Sequence, residues 1–404
     1  LQHLGFPRGL CLASVLLSVS LGACHTGNRG PGDGGVDAGG DQGMSHLVDG
    51  GVPAVDGSMP TTTMMCPAAS EPPLASGTCA VTAGGASLLL VGTVLIPGQI
   101  LRGGEVAVDT TGKITCVACD CSAQAAGATK IDCPTGVISP GLINTHDHIT
   151  YTQNSPSADT GERYEQRTDW RKGDRGHTEI VVPGGATADE IRWGEIRFLL
   201  GGATSTVGSG GEPGLLRNLD ESTEEQGLGL PYVDFDTFPL GSANIQPTSG
   251  CGMYTFEDTA ASIATDKSFE PHISEGIDDV ANNEFLCTST SANGGQLLTA
   301  PQSAFIHAVG LRAIDYGTLA STKTSMIWSP RSNVRLYGNT AQITVADRLG
   351  VRIALGTDWS ASGSMNLLRE LRCADSLNTT YFGGYFGDEA LWLMVTQNAA
   401  QITA

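Results

Sequence analysis

From residue 137 onward, short apolar runs alternate with helical segments, and several of the runs close on histidine or aspartate. The runs are "GVISPGLINTH", "GATSTVG", "PYVDFDTF", "FEPHISE", "SAFIHAVG", "SMIWSP" and "VRIALGTD". Strands that alternate with helices are joined by crossovers and therefore lie parallel. This constrains the chain to an α/β fold more tightly than any other feature it has. So many strands point to a (β/α)8 TIM-type barrel rather than an open sheet. Seven are legible, and the missing eighth is expected between "PYVDFDTF" and "FEPHISE". "TAQITVADRLG" places Ile343, Ala346 and Leu349 at helical spacing, with Gly350 suited to the C-cap. Ser364 is placed to cap a helix that carries Leu367, Leu368 and Leu371.

The N-terminal part has a different texture. Arg8 precedes the apolar run "LCLASVLLSVSLGAC", too short to cross a bilayer but of the form of a secretory signal. Leu21-Gly22-Ala23-Cys24 resembles a bacterial lipobox, which implies a lipid anchor at Cys24 and export to the cell envelope. Residues 25–84 then read as a flexible Gly/Asp-rich tether. Residues 85–139 read as short strands with glycine turns, the N-terminal part of a small β domain. The formal charge of −20 argues against nucleic acid or an anionic membrane surface as the ligand. In an oxidising compartment most of the nine cysteines beyond Cys24 should pair. Cys116, Cys119, Cys121 and Cys133 could form a zinc knuckle, but disulfides suit an exported chain better. Cys251 and Cys287 form another candidate pair, and Cys373 is expected to be the unpaired one.

The chemistry is concentrated in the scarce histidines. Of eight, His3, His25 and His46 fall in the leader or tether, leaving His146, His148, His177, His272 and His307. Four of these, together with Asp358, sit at or near the C-terminal ends of candidate strands, where barrel enzymes gather catalytic side chains. A single histidine there reads as core. Four plus a carboxylate read as a metal site, because neutral imidazoles and a carboxylate suit Zn or Fe(II) and leave a position for water. His146 and His148, at i and i+2, should face the same side with Asp147 opposite.

The ordered set "PGLINTHDH", "HISE", "FIHAVGL", "SPRSN" and "LGTDW" resembles the amidohydrolase superfamily, in its guanine/cytosine-deaminase-like and triazine-hydrolase-like branch. The resemblance covers roughly residues 85–404. It implies that His146, His148, His272 and Asp358 ligate one divalent metal, with zinc favoured and iron the alternative. It also implies catalytic roles for Glu275, His307 and Asp358: acid–base transfer by Glu275, polarisation of the substrate by His307, and orientation of water by Asp358. Binuclear members of that superfamily bridge two metals with a carboxylated lysine at a strand end. Between residues 206 and 272 the only lysine is Lys267, which precedes a strand, so one metal is expected. The resemblance further implies strands after "MVTQNAAQITA" that complete the β domain. Since the sequence ends at Ala404, that domain is expected to be incomplete, with exposed apolar edges.

The function that follows is hydrolysis of a C–N bond in a small-molecule substrate, by deaminating or opening a nitrogen heterocycle. A cell-surface amidase or peptidase-like amidohydrolase, and a non-catalytic metal-binding lipoprotein, are the alternatives. Trp328 and Trp359 read equally as pocket wall and as core. Arg331 reads as a loop anchor ahead of a substrate contact, and His177 as a surface residue ahead of a lid.

Overall fold

The computed structural model describes residues 61–70, 74–229, 231–241 and 246–403. The expected signal peptide, Cys24 and residues 25–60 of the expected tether lie outside the described residues; the rest of that expected tether instead carries β-strands, because Cys66 and Cys79 tie it to the sheet. Six strands form the first sheet: β1 (Thr62–Met65), β2 (Ala80–Thr82), β3 (Gly85–Ile96), β4 (Gln99–Val108), β5 (Ile114–Ala118) and β6 (Ala128–Ile138). Their order is β1-β4-β3-β6-β2, with β5 paired to β4. Val81, Ile114, Val117 and Val137 on this sheet are exposed.

Three disulfides staple the sheet: Cys66–Cys119, Cys79–Cys133 and Cys116–Cys121. The knuckle cysteines are therefore consumed as disulfides. Cys251–Cys287 pairs as expected. Cys373, expected to be unpaired, is itself disulfide-bonded. Counting cysteines identifies a surplus but not which residue carries it, because partners are set by where the fold brings the chain together.

Eight short strands follow, all parallel to their neighbours: β7 (Leu142–Asn144), β8 (Ala203–Thr206), β9 (Arg217–Asn218), β10 (Asp234–Asp236), β11 (Phe269–Ile273), β12 (Ala304–His307), β13 (Ser325–Trp328) and β14 (Ile353–Leu355). They lie in sequence order as a three-stranded sheet, β7-β8-β9, and a five-stranded one, β10 to β14. The strand missed in the sequence is β9. It lies before "PYVDFDTF" and not after it, since β10 pairs directly with β11. β9 is two residues long and polar. Asn218 is held by the Glu195 carboxylate at 3.0 Å, so no apolar signal announces it.

Backbone hydrogen bonds link the edges of the two sheets. Val233 N–H donates to the Leu219 carbonyl at 2.7 Å on one side, and Asp358 N–H to the His146 carbonyl at 3.0 Å on the other. Asn144 and Thr357 add a reciprocal side-chain pair across that second junction.

Alternation along the strands sorts the core. Phe269, Phe305, Met326, Trp328, Ile353 and Leu355 pack in the large cluster that includes the flanking helices. Ala304, Ile306, Ile327 and Ala354 form a second, smaller cluster from the opposite strand faces. The helix Ile343–Arg348 forms where its spacing predicts, with Gly350 at φ 80° after it. The helix Leu367–Thr380 is capped by Asn366, whose side chain accepts from Arg369 N–H. Ser364 instead accepts from Arg331 Nε at 2.7 Å, and Asn366 holds the residue position that suits a cap. No helix among the described residues is long and apolar enough to cross a membrane.

The Cys251–Cys287 bridge closes a loop over 36 residues of chain. Replacing both cysteines by serine is expected to lower unfolding stability by about 2–4 kcal/mol through the larger entropy of the open unfolded chain. Urea titration under non-reducing conditions measures this; an unchanged midpoint would contradict it.

Candidate active site

The C-terminal ends of β7, β11, β12 and β14 bring His146, His148, His272, His307 and Asp358 together. His146 Nε2 lies 3.0 Å from His272 Nε2, 3.4 Å from His148 Nε2 and 3.7 Å from Asp358 Oδ1. His148 Nε2 is also 3.7 Å from Asp358 Oδ1. Both histidines of the HxH pair reach the cluster as expected, although β7 ends before them at Asn144. Asp147 turns away and accepts from His148 N–H.

Backbone strain marks the same positions. Ser274, His307 and Asp358 have φ of 60°, 72° and 56°, in the left-handed region that non-glycine residues rarely enter. At His307 the reason is visible. In a regular strand it would follow Phe305 toward the helices. The left-handed turn instead brings its ring to within 5.0 Å of His146 and 5.2 Å of His272, centroid to centroid.

The donor set fits a divalent cation. His272 Nδ1–H donates to the Asp236 carbonyl at 2.9 Å, which leaves Nε2 as a bare lone pair aimed at His146 Nε2. Two nitrogens held this close without a shared proton repel. Ligands of a tetrahedral zinc ion, at about 2.0–2.1 Å from the metal, stand about 3.3 Å from one another, close to what the cluster shows. Burial pushes the histidines toward the neutral, ligating form: His146 and His272 well below the usual imidazole range, His148 to about 3. Burial and then the nearby Glu275 push Asp358 up to about 8, which is the signature of a carboxylate lacking a positive partner.

Two hydrogen-bonded chains, each starting at a tryptophan, orient the remaining groups. Trp328 Nε1 donates to Thr340 Oγ1 at 2.7 Å, and Thr340 to Asn333 Oδ1 at 3.5 Å. Asn333 Nδ2 can then donate to His307 Nδ1 at 3.1 Å, so the His307 proton sits on Nε2. Burial holds this imidazole neutral, with its pKa lowered to about 3. In the second chain Trp170 Nε1 donates to Tyr337 Oη at 2.9 Å, and Tyr337 to Glu275 Oε1 at 2.7 Å. Burial raises Glu275 above the ordinary carboxylate range, opposed by the Arg167 charge and by Tyr337. Glu275 Oε1 lies 3.8 Å from His307 Nε2.

A cavity of about 590 Å³ opens over these groups, lined by His148, His272, Glu275, His307 and Asp358. Trp359 lines it too, whereas Trp328 is fully buried core. Arg331, expected as a loop anchor, lies in the first turn of the helix Pro330–Tyr337, its Nε donating to Ser364 and its backbone N–H to Glu370. His177 lies outside the cluster, bonded to Glu162 and Glu165; burial lowers its pKa, and those carboxylates outweigh the effect and raise it. Lys267 is exposed and precedes β11, away from the ligand end. Sequence reasoning did not find Trp170, Arg171, Phe238 or Tyr337. The first three line the cavity from loops or short helices without periodicity, and Tyr337 acts through Glu275.

No protein-family model matches the chain. Among curated proteins, it is 24% identical over 326 residues to a 5-methylthioadenosine/S-adenosylhomocysteine deaminase of Halobacterium salinarum, covering 72% of this chain and 73% of that protein. It is 24% identical over 322 residues to an enzyme of the same name from Symbiobacterium thermophilum, covering 68% and 69%. Among solved structures, it is similar to a zinc-bound adenosine deaminase of Xanthomonas campestris, with a TM-score of 0.50 and 15% identity over 78% of this chain and 80% of the other. An atrazine chlorohydrolase of Arthrobacter aurescens complexed with zinc has a TM-score of 0.53 and 18% identity, covering 78% and 83%. At this identity the structural matches show a shared α/β fold. Two of the matched structures carry zinc, and the histidine-rich cluster here has the donors to hold a metal ion.

The cluster depends on a close approach between strand ends. A Cβ at Gly356 would meet His146 Cβ at 2.3 Å. Gly356→Ala is therefore expected to displace His146 and weaken zinc binding by about tenfold or more. Chelator competition on protein with an unaltered circular-dichroism spectrum measures it, and unchanged affinity would count against this placement of His146.

Proposed function

We propose that this chain is a metal-dependent hydrolase of the amidohydrolase type, acting on a non-peptide C–N bond and deaminating or opening a nitrogen heterocycle. The observation that carries the reading is that His146 meets His148 and Asp358 in one metal-capable group and His272 and His307 in another, at a cavity that Glu275 also lines. The deaminase names of its curated relatives support the same reaction class. On this reading the eight strands β7 to β14 close into a TIM-type barrel, supported by the backbone hydrogen bonds at both sheet junctions. The sheet β1 to β6 is the small β domain, within the segment 85–139 and the strands just before it.

His146, His148, His272 and Asp358 hold one divalent ion, zinc by preference. Bound there, a divalent ion would supply the acidity that turns water into a nucleophile at neutral pH. The chain's own groups do the rest. Glu275, its pKa raised by burial and its carboxylate pointed by Tyr337, takes a proton from the attacking water and delivers it to the leaving nitrogen. His307 presents Nε2–H to the substrate's carbonyl or ring nitrogen and stabilises the charge that develops there. Asp358 orients the attacking water. The aromatic side chains of Trp359, Trp170 and Phe238 wall the cavity and suit a flat ring.

The protein is exported and lipid-anchored at Cys24. The four disulfides among the described residues support an oxidising compartment.

The purified protein, reconstituted with zinc, is expected to hold one equivalent per chain by elemental analysis and to release ammonia from nitrogen heterocycles in a chelator-sensitive way. His272→Ala is expected to abolish both. Turnover that survives His272→Ala ends this reading, and release of free carboxylate from acyl amides without ammonia would favour the amidase alternative.

A second test concerns Glu275. Tyr337→Phe removes a hydrogen bond that favours the ionised carboxylate, so the Glu275 pKa, already raised by burial, should rise further. Because the reaction needs Glu275 first as a base, the acidic limb of the kcat/KM–pH profile should move to higher pH. A limb that stays in place would remove Tyr337 from this role.

A further inference from the structure

Among the groups that line the cavity, Arg171 is a half-buried cation that forms no ion pair among the described residues. Arg171 and Arg167 lie one turn apart on the short helix Arg167–Lys172. Arg167 is buried, ion-paired with Glu284 at 3.1 Å and hydrogen-bonded to the Thr237 carbonyl at 3.3 Å. Arg171 is also substantially withdrawn from water, yet among the described residues its guanidinium has no carboxylate within ion-pair distance and no hydrogen-bond acceptor. It lies over the ring of Phe238, its central carbon 4.0 Å from the centroid. It lines the same cavity as His272, Glu275 and Trp359.

Acidic groups share that cavity, and none lies within ion-pair distance of Arg171, although the Glu275 charge reaches it through space. Glu275 is engaged by Tyr337, Asp358 belongs to the ligand cluster, and Glu179 stands exposed at the rim. Stacking on an aromatic face satisfies the flat surface of a guanidinium and leaves its in-plane N–H donors free. A half-buried guanidinium with free donors is costly unless an acceptor arrives, and its fork matches the two oxygens of a carboxylate.

Resting on the reading of this site as a C–N hydrolase, we propose that its substrate carries a carboxylate, bound by Arg171 over Phe238 while the reacting C–N bond lies at the His146–His272–Asp358 cluster. Arg171 is then a specificity-determining residue, and the substrates are anionic nitrogen heterocycles or amides rather than neutral ones.

Binding of a matched pair of probes tests this without requiring turnover. Nicotinate and nicotinamide differ only in the carboxylate, and each is titrated calorimetrically into the zinc-loaded full chain. Nicotinate is expected to bind about tenfold or more tightly than nicotinamide. Arg171→Gln should erase that preference while leaving nicotinamide binding in place. Equal affinities in the unaltered protein, or no measurable nicotinate binding, would overturn the proposal. So would a preference that survives Arg171→Gln, since the metal would then be holding the carboxylate. If Arg171→Gln binds neither probe, Arg171→Lys decides. Weakened nicotinate with retained nicotinamide supports the proposal, and full retention of both overturns it. Loss of hydrolytic activity across all substrates, with this binding pattern intact, would instead count against the hydrolase reading.

Discussion

Everything at the mouth of this fold is arranged around a repulsion. Nitrogens of His148 and His272 are packed within 3.4 Å of His146 Nε2, beside a carboxylate that burial and the nearby Glu275 drive toward its neutral form. Protonated imidazoles would repel one another in a dry site, and a proton on His146 Nε2 can serve only one of its two histidine neighbours. A divalent cation resolves both at once, and its charge returns Asp358 to the carboxylate state. The strained φ values at Ser274, His307 and Asp358 and the contact that forbids a side chain at Gly356 are what the chain tolerates to bring these groups so close.

The surrounding hydrogen bonds determine which tautomers and orientations are available. His272 is fixed by a backbone carbonyl of the adjacent strand, so its orientation is part of the sheet itself. His307 and Glu275 are fixed by longer relays from buried tryptophans, through Thr340 and Asn333 in one case and Tyr337 in the other. His146 is held by the Ser329 hydroxyl and Asp358 by that of Ser332, so side-chain hydroxyls and amides orient every one of these groups except His272. Outer partners of this kind set basicity as well as direction.

The ligand residues were legible in the sequence because each ends or follows a run of apolar residues, where a polar imidazole is conspicuous. The same logic failed where polarity replaced apolarity. β9 is Arg217 and Asn218, held by Glu195 instead of by burial of side-chain hydrocarbon, and periodicity has nothing to register there. Asn366 and Ser364 are both good caps two residues apart, and only the fold shows that Ser364 is already engaged by Arg331. Trp328 and Trp359 looked equivalent. One lies inside a strand and roots the His307 relay, while the other follows Asp358 into the cavity wall. Cys373 shows the same limit for pairing, which depends on distance in space and leaves no mark in spacing.

Chemistry and selectivity are drawn from different parts of the chain. The candidate ligands and proton-transfer groups all come from strand ends or the residues just after them, which a parallel sheet holds rigidly. Within the excursion between β7 and β8, the part that follows His148 supplies Trp170, Arg171, Ile180 and Val182 to the cavity, yet contributes none of the groups assigned to metal binding or proton transfer. It is long, largely without regular structure, and fastened by its own ion pairs, such as Arg175 to Asp169 and Asp278. Apart from Trp170, which roots the relay to Glu275, the side chains of this loop make no bond to the groups assigned to metal binding or proton transfer. The ligand pattern therefore indicates a reaction class, while the residues between 150 and 186 carry the information about which molecule is turned over.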